Sequence, residues 1–151
     1  MQRYLAPRST GSAPSVGLLA LRLVMGVAFI FHGWDKIQSP LSWMPAEAPV
    51  PGFLQLLAAL AEFGGGMLLV AGLLTPLAAL GLLCTMIGAL GMVHLPQGDP
   101  FIGGFELPLI YLVASLLFLL AGPGRFSADH AIFGSSTGKP VAEGTRRETA
   151  T

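Results

Sequence analysis

Phe53–Leu74 reads FLQLLAALAEFGGGMLLVAGLL. One charged residue, Glu62, interrupts a run longer than the roughly 20 mostly apolar residues that cross a bilayer as a helix. Working outward, Val16–Trp34 (VGLLALRLVMGVAFIFHGW) forms a second such window, and a third runs from Pro76 to about Leu95. The shortest, Glu106–Ala121, is extended at its start by Phe101 and Ile102. The pattern predicts an all-α fold, a transmembrane four-helix bundle with helices over about 16–36, 53–74, 76–95 and 105–121.

Proline and glycine agree with these limits. Thr75-Pro76 makes a tight link with Pro76 in a first turn, where its missing N–H costs little. Pro96, Gly98 and Pro100 close the third window, and Gly122-Pro123-Gly124 closes the fourth. Pro40, Pro45, Pro49 and Pro51 exclude a regular helix from the first connection, whose Leu41, Trp43 and Met44 suit the membrane interface. Residues 1–15 and 134–151 read as disordered cytoplasmic tails flanking a membrane domain at 16–133, with a short interfacial helix within Arg125–Phe133. The first window holds Arg22 and lacks a small-residue cleavage site, so it is predicted to be retained rather than cleaved as a signal.

Composition supports the bilayer over a soluble core. Of 151 residues, 53% are hydrophobic and 11% charged, against about 25% charged in a soluble domain. Eight basic and eight acidic residues cancel, which gives no footprint for nucleic acid. The single cysteine, Cys84, excludes an internal disulfide and reads as a small buried packing residue. Arg3, Arg8, Arg125, Lys139, Arg146 and Arg147 fall on one side of a four-span topology, and Lys36 alone on the other. The positive-inside rule therefore predicts both termini in the cytoplasm, N-in/C-in, with loops 35–52 and 96–105 outside.

Charge at membrane depth costs about 2.5–3.5 kcal/mol on insertion scales, so each such residue needs an account. Arg22 lies about two turns into the first helix, where its guanidinium can snorkel to headgroups. Glu62 lies roughly 14–18 Å from either end of its helix and is too short to snorkel. Arg22 is the one basic side chain with plausible reach: either the two pair and fix helix register, or the carboxyl is buried without a partner and becomes a proton carrier. Gly64, Gly65 and Gly66 follow Glu62 and form a packing groove that admits a neighbouring helix or a flat ligand. The strip Ala78, Gly81, Thr85 and Gly88 on the third helix reads mainly as packing.

The remaining polarity gathers at the outer end: His32, Asp35 and Lys36, then His94, Asp99 and Glu106. A His–carboxylate cluster at the bundle mouth is favoured over haem ligation by His32 and His94, because no paired-histidine spacing supports haem. No metal-ligand spacing, phosphate loop or nucleophile–base pair appears, so independent catalysis is not supported.

LRLVMGVAFIFHGWDKI (21–37), LAALAEFGGGMLLVAGLLTPLAALGLL (57–83) and FELPLIYLVASLLFLLAGPGRFSADHAI (105–132) together resemble the DoxX family. The resemblance covers about residues 16–133. It implies a multi-pass protein of a bacterial-type inner (plasma) membrane, associated with redox enzymes. Arg22, His32, Lys36, Glu62 and Glu106 match recurrent polar positions of that family.

Three functions compete at this stage. One is a redox-associated subunit binding a quinone-like molecule near Glu62 and Arg22, with the glycines admitting its ring and His32, His94 and Glu106 at the mouth. Another is a proton-coupled small-molecule or lipid transporter acting as a homo-oligomer. The third is a scaffold for a partner redox enzyme. Ligand-binding or proton-handling candidates are thus Arg22, His32, Lys36, Glu62, His94 and Glu106, with no metal.

Overall fold

A computed structural model of the protein describes residues 11–48 and 50–134. The remainder of the predicted tails, 1–10 and 135–151, lies outside the described residues. Among the described residues every regular element is helical. The four spans are α1 (Ser12–Gln38), α2 (Gly52–Ala71), α3 (Thr75–Gly88) with its continuation to Gln97, and α4 (Glu106–Ala121) with its lead-in from Phe101. All four are long and apolar enough to cross a membrane, and the fold is a transmembrane four-helix bundle. A short fifth helix, α5 (Ala128–Phe133), follows.

The tail expected at 1–15 needs correction. α1 begins at Ser12, and Ser15 is buried, with its hydroxyl bonded to the Gly11 carbonyl and accepting from the Arg125 N–H. Gly124, from the other end of the bundle sequence, packs against this start, where a Cβ on it would lie 3.4 Å from Leu18 and 3.6 Å from the Ser15 carbonyl.

Small residues set the register of α1 on α2. A Cβ built on Gly26 would lie 2.8 Å from both the Gly66 carbonyl and the Val70 side chain, and one on Gly66 would lie 2.8 Å from Ile30 N. One on Gly33 would meet the Phe63 backbone at 2.5 Å. Position 26 thus opposes 70, 30 opposes 66, and 33 opposes 63, an antiparallel contact of backbone on backbone. Gly65 instead faces α3 at Leu82, while a Cβ on Gly64 would meet nothing. Two of the three glycines therefore serve helix packing.

α3 does not end as a plain α-helix. Ala89–His94 is π-helical, and Leu95–Gln97 adds a final turn before Gly98 in the left-handed region. The chain re-enters the bundle through Phe101–Phe105, where Ile102 is extended and Gly103 has φ 78. α1 and α4 meet through side chains, with Phe29 and Tyr111 rings 4.7 Å apart. The core is Leu18, Met25, Phe29, Leu69, Leu82, Met86 and Phe118. Leu57, Leu77, Ile87, Ile110 and Leu120 point outward, the surface that lipid covers.

Candidate functional site

Glu62 projects from the middle of α2, about 15 Å from its start at Gly52, and its side chain is 3% exposed. Both oxygens accept from Lys36 Nζ, Oε1 at 2.7 Å and Oε2 at 2.6 Å. The Arg22–Glu62 pairing is thus wrong, and the α1–α2 register explains why. It sets Glu62 level with position 34, so Arg22 lies about 18 Å away along the axis. Lys36 lies at the correct level, and its four-carbon stem runs inward toward the carboxylate instead of outward to the headgroups.

Arg22 does a different job. It is 2% exposed, so it does not snorkel. Its Nη1 donates to the Pro123 carbonyl at 2.9 Å and Nη2 to Phe126 at 2.6 Å. Its guanidinium lies against Gly72, where a Cβ would come within 2.7 Å of Cζ. Asp129, fully buried, accepts from the Leu74 N–H at 2.7 Å and the Thr75 N–H at 2.9 Å. It thereby caps α3 and holds Leu74 at a positive φ of 49. Arg22 and Asp129 clasp the closing segment 122–133 to the end of the bundle opposite the Lys36–Glu62 pair. Asp129 stands in the 105–132 motif that carries the resemblance, but no role for it was read from the sequence; it lies two positions past Ser127, the N-cap of α5.

Two cavities flank the ion pair. The first, about 420 Å³, lies between α2, α3 and the 39–51 loop, and its walls include Lys36, Trp43, Leu57, Glu62, Cys84 and Met92. Lys36 Nζ stands 4.5 Å from the Trp43 ring centroid. Gln55, buried in α2, fixes that loop: its amide accepts from Met44 N–H at 3.0 Å and donates to the Val50 carbonyl, and its backbone carbonyl accepts from Trp43 Nε1. Trp43 therefore forms part of the cavity wall.

The second cavity, about 430 Å³, lies between α1, the end of the third span and α4. His32, Lys36, Glu62, His94, Glu106 and Tyr111 are among its lining residues. His94 Nδ1 and Asp99 Oδ2 are 2.7 Å apart, while the His32 ring stands edge-on to Tyr111 at 6.0 Å. Five of the six polar candidates therefore surround this cavity, and Arg22 is the exception.

Gly64, Gly65 and Gly66 line neither cavity. Of the strip expected to pack, Ala78 is buried in the core and a Cβ on Gly81 would lie 3.4 Å from Ala61, but Gly81, Thr85 and Gly88 also line the first cavity, and Cys84 beside them is exposed rather than buried. Small side chains on α3 leave open the space that larger ones fill elsewhere. Ala89, the first residue of the π-helical stretch, borders both cavities; such stretches recur at functional sites. No group of three metal-ligating side chains occurs among the described residues.

The profile of the DoxX family matches residues 17–95. The chain is 30% identical over 120 residues to "Putative oxidoreductase CatD" of Bacillus subtilis (strain 168), covering 78% of this chain and 88% of that one. It is 33% identical over 125 residues to "Inner membrane protein YqjF" of Escherichia coli (strain K12), covering 78% and 92% respectively. An uncharacterized membrane protein of Mycobacterium tuberculosis (strain ATCC 25618 / H37Rv) is 30% identical over 142 residues, covering 83% and 87%. No solved structure matches the chain.

Proposed function

Because this chain belongs to the DoxX family of membrane proteins, we propose that it is a redox-associated membrane subunit that binds a quinone-like ring in the first cavity. One observation carries the reading: a lysine ammonium, tied to a buried carboxylate, forms part of the wall of an apolar cavity beside an indole. The ammonium has three N–H donors, and Glu62 takes two. The third is free for a ring carbonyl, while the Trp43 face offers a stacking surface. At about 420 Å³ the space falls in the size range of small-molecule sites. The name of the Bacillus subtilis relative as an oxidoreductase supports the redox setting.

The proposal extends to topology and company. Both termini lie in the cytoplasm and the membrane is a bacterial-type inner membrane, in keeping with the name of the Escherichia coli relative. Electrons come from a partner redox enzyme, and the subunit works in a complex or as a homo-oligomer.

Titrating the purified Trp34→Phe protein with a short-chain ubiquinone or menadione tests the ring site, since Trp43 is then the sole tryptophan. Saturable quenching that weakens in Lys36→Gln is expected. Quenching that does not saturate, or that is unchanged in Lys36→Gln, refutes the site and favours a scaffold. Gradient-driven uptake of the compound into proteoliposomes identifies a carrier instead.

A further inference from the structure

The Lys36–Glu62 pair borders both cavities, and the two are built differently. Leu57 and Cys84, on the rim of the first, are exposed on faces of α2 and α3 that lipid covers. The second is bordered by His32, Glu106 and His94, whose side chain is 25% exposed and whose partner Asp99 lies in the surface loop. We infer that the first cavity opens to lipid and the second to water, and that the ion pair passes protons between that water and an oxygen of a ring in the first. The proton step rests on the ring-binding reading above; the division between lipid and water does not.

The step balances without an oxidant. An N–H bond of the Lys36 ammonium breaks as an O–H bond forms on a ring oxyanion. The neutral amine then takes a proton from a hydronium ion that arrives through the second cavity and leaves as water, and Glu62 remains a carboxylate throughout. The groups facing this exchange are His32 on α1, Glu62 on α2, Cys84 on α3, His94 with Asp99 at the end of the third span, and Glu106 and Tyr111 on α4.

Cysteine labelling by a charged, membrane-impermeant methanethiosulfonate tests the division. In a Cys84→Ser background, Leu107→Cys at the rim of the second cavity and Met86→Cys in its wall are expected to react from the same membrane face. Native Cys84 is expected to stay unlabelled until detergent unfolds the chain. Labelling of native Cys84 as fast as Leu107→Cys, or of Leu107→Cys without Met86→Cys, overturns the inference.

The proton step is read with 2-hydroxy-1,4-naphthoquinone, whose anion is coloured. After a pH jump, the colour change of the bound probe is expected to slow about tenfold or more once labelled Met86→Cys plugs the second cavity, with Trp43 quenching unchanged. An unaltered rate overturns the step. Absence of any quenching by the probe overturns the ring site itself, and the labelling alone then decides the two-solvent reading.

Discussion

Removing either partner of the Lys36–Glu62 pair is expected to destabilise the fold unequally, and the asymmetry is set by burial. In Lys36→Met the Glu62 carboxylate, 3% exposed, loses both of its hydrogen bonds. An uncompensated buried charge of this kind costs about 3–5 kcal/mol. In Glu62→Gln the Lys36 ammonium is 23% exposed, borders both cavities, and keeps an amide oxygen and the Trp43 ring as partners. That loss is about 1–2 kcal/mol. The double variant Lys36→Met/Glu62→Gln leaves no stranded charge, so it is expected to be more stable than Lys36→Met alone, with a coupling of about 2 kcal/mol. Reversible unfolding of detergent-solubilised protein by a denaturing surfactant measures all four species. Lys36→Met no worse than Glu62→Gln, or simple additivity, refutes the reasoning. As a control, Arg22→Gln and Glu62→Gln lie far enough apart to add within about 0.5 kcal/mol.

Other expectations follow from the same geometry. Gly33→Val forces a Cβ into the Phe63 backbone, 2.5 Å away, and is expected to lower the melting temperature in detergent more than Gly64→Ala, which meets nothing. Asp129→Ala removes two charge-assisted hydrogen bonds from Leu74 and Thr75, each of about 1.5–3 kcal/mol; the loss is read as a fall in the unfolding midpoint. Arg22→Met frees the Pro123 and Phe126 carbonyls, so limited proteolysis is expected to cut near 122–127 faster than in the parent protein. Gln55→Ala unlatches the loop that carries Trp43, and in the Trp34→Phe protein it is expected to shift Trp43 emission and weaken ring binding together.

The four spans are legible because twenty-odd apolar residues with proline and glycine at their ends leave few alternatives. The partner of Glu62 is not. Counting depth from helix ends put Arg22 within reach, but the register depends on which glycines meet which backbones, and Gly26, Gly33 and Gly66 settle that only in three dimensions. The polar outer cluster, His32, Lys36, His94 and Glu106, is readable from position along each span, and the structure brings these residues around one cavity. The other cavity is invisible to the same reasoning, because Gly81, Thr85 and Gly88 look alike whether they pack against a helix or line a space. The π-helical stretch at Ala89–His94 likewise has no marker in its composition. Asp129 is visible in the 105–132 motif but its role is not, because it caps a helix more than fifty residues away in the chain.

Photoaffinity labelling with an azidoquinone, mapped by mass spectrometry, bears most directly on the ring site. Adducts competed away by excess quinone and confined to Trp43–Ala61 and Gly81–Val93 are the expected result. Competed adducts at Gly64–Gly66 or on the outer face of α4, or none that compete at all, would contradict a ring held beside Lys36 and Trp43.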